Sequence, residues 1–321
     1  MLLDERRGKP HMSRVLSLLV AALVPLALLP SASASPAPGV GPYAVATPAA
    51  VPESVRIAAA GDIACEPPYS PTATTCRHAG TAAMISRRGV DAVLTLGDNQ
   101  YERGRLYDFQ QSYDPTWGAF KAMTRPTPGN HEYNTAGADG YYDYFGAAAH
   151  RPTSGYYAYN VGGWRMYALN TNCDKIDCAA ELEWLRRDLA ANPRRCSLVA
   201  MHHPRFSSGV HGDSELWAGM FWPELDRRQV DVALAGHDHD YERFAPLSAI
   251  GSRSSQGIRS WVVGTGGKEQ RHFGSPHAGS LVRSNVRAGV LFMTLRAQDY
   301  SWRFRTVDGV LRDSGTARCV T

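Results

Sequence analysis

Apolar residues recur along this chain in nine runs that read as β-strands: Val55–Gly61, Val90–Gly97, Tyr156–Val161, Trp164–Asn170, Ser197–His202, Val230–Gly236, Ile258–Gly264, Gly289–Arg296 and Tyr300–Val307. Several are nearly continuous in Val, Leu, Ile and Ala, the pattern of strands covered on both faces. Between them lie helical patterns. The clearest is Ala179 to Ala191, where Leu182, Leu185 and Leu189 recur at spacings of three and four and Asn192-Pro193 stops the run. Strands alternating with helices through the first three quarters predict an α/β sheet. The strand-rich C-terminal third predicts a second, more antiparallel sheet packed on the first. Gly264-Thr265-Gly266-Gly267 lacks nucleotide-loop spacing and a following helix, so it reads as a strand-ending turn.

The N-terminus breaks this pattern. Arg6, Arg7, Lys9 and Arg14 precede an apolar stretch from Val15 to Leu29, and Ala32-Ser33-Ala34 offers a small-x-small cleavage site. The stretch is short for a membrane span, which needs about 20 apolar residues. Residues 1–34 are therefore expected to be an export signal, and Met12 could serve as its start. Residues 35–53, rich in Pro and Ala, are expected to be a flexible leader. No internal repeat or second linker follows, so residues 54–321 are expected to form one catalytic domain.

The chain has 321 residues and a formal net charge of +4, with no block of five or six like charges. Nucleic acid is not expected as an obligate partner, and no stable membrane anchor is expected. Six cysteines, an even number in an exported chain, point to disulfides. Proximity favours Cys65 with Cys76 and Cys173 with Cys178, which leaves Cys196 for Cys319. A thiolate metal site is disfavoured because no Cys-x-x-Cys pair occurs.

The chemistry gathers where strands end. Ile57 to Asp62 ends in a carboxylate, and so does Ala92 to Asp98, which continues to Asn99-Gln100-Tyr101. Thr127-Pro128-Gly129-Asn130-His131-Glu132 places polar groups after a Pro-Gly turn. Leu198 to His203 ends in two histidines, and Val230 to Ala235 runs into Gly236-His237-Asp238-His239. In open α/β sheets, function collects beyond the carboxyl ends of the strands. Each piece alone has a structural explanation: Gly-Asp is a common turn or helix cap, Asn130 a turn residue, Tyr101 packing. Together, so many Asp and His at apolar strand ends would be costly without a cation. Carboxylate, amide and imidazole donors, with a phenol beside them and no thiolate, suit iron, manganese or zinc. Seven candidates exceed the needs of one tetrahedral zinc, so two ions sharing a carboxylate is the better count.

These five ordered blocks resemble the calcineurin-like metallophosphoesterases, and their variation resembles the purple acid phosphatase branch. The matching runs are Gly97-Asp98-Asn99-Gln100-Tyr101, Gly129-Asn130-His131-Glu132, Val199 to His202 and Gly236 to His239. The first block departs mildly, with Asp62-Ile63-Ala64 where the branch has Asp-x-Gly. Other family members use a His at that third position, and its absence fits Tyr101 as the ligand. The resemblance implies a four-layer α-β-β-α sandwich of two mixed sheets, in the smaller single-domain architecture. It implies two metal ions. Asp62, Tyr101 and His239 would hold the first, ferric iron. Asn130, His202 and His237 would hold the second, a divalent iron, zinc or manganese ion. Asp98 would bridge them.

Two cations would neutralise a phosphoryl group and make a bound water nucleophilic near neutral pH. A donor for the leaving alkoxide is expected from His131 or from His211, which sits in a loop with Ser207, Ser208 and Gly209. His203 is expected to turn away from the metals if its segment is extended, and to be a supporting or structural residue. The expected activity is that of a secreted phosphatase acting on a small phosphate monoester. The alternatives are a phosphodiesterase acting on nucleotides or phospholipid head groups, and a secreted metal-binding protein without catalysis. The aromatic run from Tyr133 to Phe145 suits either packing or the rim of a substrate site.

Overall fold

The computed structural model describes residues 53–320, so the expected signal and nearly all of the expected leader lie outside the described residues. Thirteen strands form two mixed sheets. In chain order they are β1 (Ser54–Ala60), β2 (Ala92–Leu96), β3 (Thr124–Thr127), β4 (Tyr157–Val161), β5 (Trp164–Ala168), β6 (Ser197–Ala200), β7 (Val232–Ala235), β8 (Tyr241–Phe244), β9 (Arg259–Val263), β10 (Ser280–Ser284), β11 (Gly289–Arg296), β12 (Asp299–Thr306) and β13 (Leu311–Arg318). The first sheet runs β13-β12-β11-β1-β2-β3, and the second β10-β8-β9-β7-β6-β5-β4. The helices are α1 (His78–Ser86), the short α2 (Leu106–Asp108), α3 (Asp139–Phe145), α4 (Cys178–Ala191) and α5 (Ala218–Arg227).

The period-two pattern of the buried strands assigns their faces. In β6, Leu198 and Ala200 join the core that also holds Ile57, Leu94 and Leu291 of the first sheet, while Val199 joins a separate core with Leu185 of α4 and Phe221, Trp222 and Leu225 of α5. In β7, Val232 and Leu234 face the first core and Ala233 and Ala235 the second. The two sheets thus pack face to face, with α4 and α5 covering the second and α1 packed on β11 of the first. This is the α-β-β-α layering of two mixed sheets. The expected α4 forms with Leu185 fully buried, and the Asp177 side chain caps it by accepting from the Ala180 N–H at 3.0 Å.

One expectation is corrected. The C-terminal third does not make its own antiparallel sheet. β11 pairs antiparallel with β1, setting Ile57 opposite Met293, and β12 and β13 follow it, so these strands complete the sheet that β1 to β3 begin. Four strands were not foreseen: β3, β8, β10 and β13. β3 contains Pro126, and the other three are rich in charged or polar residues. Burial of β8 is compensated by partners distant in sequence. Asp313 of β13 accepts from Tyr241 Oη and Arg243 Nε, each at 2.6 Å, and from Trp302 Nε1 at 3.0 Å.

The three disulfides are Cys65–Cys76, Cys173–Cys178 and Cys196–Cys319, as proximity suggested. The last ties the C-terminal residues to the start of β6. Among the described residues no helix is long and apolar enough to cross a membrane. Tyr141, Tyr142, Tyr144 and Phe145 pack in the core, where Phe109 stacks on Tyr144 at 4.8 Å; the aromatic run is packing at these positions.

Candidate metal centre

β1, β2 and β3 run parallel, and so do β6 and β7, so the segments after each set of strands emerge at a common end. The loops then zip together. Asp62 N–H donates to the Gly97 carbonyl at 3.0 Å, Ile63 N–H to Asp98 at 2.9 Å and Gly236 N–H to His202 at 2.9 Å. Three of the expected site residues sit at positive φ: Asp62 at 59°, Asp98 at 45° and His237 at 71°. Non-glycine residues are uncommon there, and such strain concentrates at functional sites. Two glycines make room. A Cβ on Gly97, itself at φ 79°, would lie 2.3 Å from His202 Nδ1, and one on Gly129 would lie 2.2 Å from Asp98 Oδ1.

All seven expected ligands converge in two touching groups. In one, the Tyr101 hydroxyl lies 2.7 Å from Asp62 Oδ1, 3.0 Å from Asp98 Oδ2 and 3.0 Å from His239 Nε2. His239 donates from Nδ1 to the Glu269 carbonyl at 2.9 Å, so its Nε2 presents a lone pair. A single phenolic proton cannot serve three acceptors. In the other group, His202 donates from Nδ1 to the Leu96 carbonyl at 2.9 Å. Its Nε2 therefore presents a lone pair to Asn130 Oδ1 at 2.9 Å, to His237 Nδ1 at 3.2 Å and to Asp98 Oδ1 at 3.4 Å. Asp98 belongs to both groups. Asn130 Oδ1, Asp98 Oδ1 and His202 Nε2 are acceptors crowded into one buried space and are relieved when a cation lies among them, and backbone carbonyls on the far ring nitrogens, as on His202 and His239, are the usual support of ligating histidines. The donor set fits two hard or borderline cations.

The electrostatics agree. Burial raises the Asp98 carboxyl, but His202, His131 and the hydrogen bonds from the His131 N–H and the Tyr101 hydroxyl overcome it and hold Asp98 below its ordinary value. Burial, with the charges of Asp62 and Asp98, pushes the Tyr101 phenol well up, so ionising it requires a cation. Burial and the neighbouring histidines push His237 well down, keeping the imidazole in its neutral, ligating form.

The two expected acid–base residues border the same cleft of about 120 Å³, with Asp98, Asn130, His237, His239 and Arg271. His131 is fixed by Nδ1 on the Glu102 carbonyl at 2.8 Å, with Nε2 3.9 Å from Asp98 Oδ2. His211 receives a hydrogen bond at Nε2 from Arg271 Nη1 at 2.6 Å, and its ring lies 4.4 Å from that of His237. An arginine only donates, so this His211 nitrogen is an acceptor.

His203 lies beside the site, held by a bond that suits the supporting or structural role expected of it. The chain bends after β6, so strand alternation does not apply. A ring nitrogen of His203 comes within 4.8 Å of those of His202 and His237, while its Nδ1 is bound to Thr171 Oγ1 at 2.8 Å.

Sequence reasoning missed the residues that hold the loops. The Glu132 carboxylate accepts from Gly129 N–H at 2.7 Å and Gln100 N–H at 3.1 Å, clamping the turns that carry Asn130 and Tyr101. Burial and nearby Asp98 raise it to about 7. Asp238 binds the Ser207 hydroxyl and accepts from His211 N–H at 3.0 Å. Glu132 and Asp238 stood inside runs already singled out; Arg271 follows no pattern. A larger cleft of about 430 Å³, lined by Arg56, Arg88, Phe292 and Arg303 among others, contains none of the expected residues.

Comparison with known proteins gives one consistent picture. The sequence profile described as calcineurin-like phosphoesterase matches residues 55–241. Purple acid phosphatase 21 of Arabidopsis thaliana is 28% identical over 190 residues, covering 52% of this chain and 42% of that protein. Tartrate-resistant acid phosphatase type 5 of Sus scrofa is 24% identical over 231 residues, covering 61% of this chain and 67% of that protein. The match thus spans less than half of the plant relative. The structure of purple acid phosphatase PPD1 from yellow lupin (Lupinus luteus) seeds shares the fold with a TM-score of 0.63 at 19% identity, covering 82% of this chain and 53% of that one.

Proposed function

The chain belongs to the calcineurin-like phosphoesterase family, and from that premise we propose that it is an exported, dinuclear-metal phosphatase that hydrolyses phosphate monoesters. The observation that carries this reading is the convergence of seven candidate ligand residues on one buried space, with Asp98 shared between the two groups. Asp62, Tyr101 and His239 would hold ferric iron, and Asn130, His202 and His237 a divalent iron, zinc or manganese ion. When bound, such a pair neutralises phosphoryl oxygens and makes water nucleophilic near neutral pH.

The chain's own residues do the rest. Asp98 places its charge between the two groups. His131, oriented by the Glu102 carbonyl, turns Nε2 toward the cleft, where it is positioned to give a proton to the departing alkoxide. His211 and Arg271 together border the same cleft and orient the phosphoryl group. Export into an oxidising compartment is supported by three disulfides with no free cysteine among the described residues.

The test is hydrolysis of para-nitrophenyl phosphate and its bis-ester, with and without chelator. Chelator-sensitive turnover of the monoester is expected. Preference for the bis-ester would make the protein a diesterase. Hydrolysis of neither would favour a metal-binding protein without catalysis.

A further inference from the structure

The cleft that contains Asp98, Asn130 and His131 holds only about 120 Å³. Pockets for small organic molecules run from about 300 to 1,000 Å³, so this one accommodates a phosphoryl group and little more. The organic part of an ester must lie outside it. A second cleft of about 340 Å³ adjoins it, and the two share His211 and His237. Its other walls are Leu216, Trp217, Ser214, Asp213 and Glu215.

Two features of this second cleft bear on what it takes. The first is apolar. Leu216 is 83% exposed, and Val210 of the same loop and Met220 in the first turn of α5 are exposed as well. A lone exposed leucine is ordinary, but this one stands beside Trp217 in the wall that continues from His211 and His237. The second is charge. No lysine or arginine lines the cleft, and two carboxylates do. Arg205 meets Glu215 at 2.6 Å and Asp213 only at 4.0 Å, one cation for two anions. Asp213 also lies 3.8 Å from His277.

Resting on the phosphatase reading above, we propose that this cleft is the leaving-group subsite and that it selects phosphate monoesters of uncharged aromatic or otherwise apolar alcohols. An apolar ring would cover Leu216 and Trp217, and removing that surface from water favours binding. A leaving group carrying carboxylates or further phosphates would meet like charge on Asp213 and Glu215, which disfavours nucleotides and polyphosphorylated compounds.

Phosphonates test this without the complication of leaving-group reactivity. Binding to the metal-loaded protein is measured by calorimetry, and inhibition of para-nitrophenyl phosphate hydrolysis in parallel. Benzylphosphonate should bind about tenfold tighter than methylphosphonate, and 4-carboxybenzylphosphonate a few-fold weaker than benzylphosphonate. Leu216→Ser, at an exposed position, should shrink the benzyl-over-methyl ratio about threefold. Glu215→Gln should narrow the gap between the charged and uncharged benzyl compounds. Equal binding of methyl- and benzylphosphonate, or a ratio unmoved by Leu216→Ser, overturns the subsite while the phosphatase reading stands. Absence of both phosphonate binding and ester hydrolysis overturns the phosphatase reading, and the subsite with it.

Discussion

Nε2 of His202 and Nδ1 of His237 lie 3.2 Å apart, and His202 donates from Nδ1 on its far side to the carbonyl of Leu96. Neither Asn130 Oδ1 nor Asp98 Oδ1, the other atoms near Nε2, can donate a hydrogen bond to it. The arrangement is stable when a cation takes these lone pairs, and Asp98 is the group that would bind both cations. Asp98→Asn removes the shared charge while keeping the shape. Metal analysis should then show clearly fewer than two ions per chain, and turnover should fall by at least about a hundredfold. Full activity with full metal content would end the bridging assignment.

As a ligand, Tyr101 would decide the identity of the first ion. Its phenol is fully buried between Asp62 and Asp98, an environment that opposes ionisation. Only a strongly polarising ion would hold it as phenolate. Protein purified without added metals should therefore absorb visible light, and Tyr101→Phe should lose that band. A colourless, active, iron-free protein would assign zinc or manganese to this position.

The strand-end candidate residues were legible because each follows an apolar run whose period and length are local properties. Asp62, Asp98, His202, His237 and His239 needed no knowledge of distant contacts, and the parallel pairing of the strands then brought them together. What was not legible is what depends on partners far along the chain. β8 reads as the charged run Tyr-Glu-Arg-Phe, yet it is a largely buried strand because Ser208 satisfies Glu242 and Asp313 satisfies Arg243. Glu132 works through backbone N–H groups of two different loops, and Arg271 meets His211 from sixty residues away. For His203 only the condition failed, because the backbone bends past the end of β6 and strand alternation stops there.

His211 reaches the cleft on a loop tied down by Asp238, which accepts from the His211 N–H at 3.0 Å and binds the Ser207 hydroxyl. Among the described residues the hydrogen bonds of His211 go to Asp238 and Arg271, not to Asp62, Tyr101 or His239. His211→Ala should slow turnover by about ten- to a hundredfold while metal content stays at the wild-type level. An unaltered rate would remove His211 from the reaction, and loss of metal would make it part of the centre's support.

His78, the first residue of α1, is fully buried away from the metal centre, with its ring edge-on to Tyr69 at 4.7 Å. Nε2 lies 3.4 Å from Ser112 Oγ, and Nδ1 has no partner among the described residues. Burial lowers its pKa from 6.5 to about 4. The folded state therefore binds the proton less readily than the unfolded chain. The stability this contributes is complete above about pH 6.5 and is lost as the pH falls toward 4, a difference of up to about 3 kcal/mol. Urea unfolding at pH 7 and pH 4.5 measures it. The wild-type protein should lose about 2 kcal/mol more between these pH values than His78→Gln does. Equal losses in the two proteins would show that other groups govern the acid sensitivity of the fold.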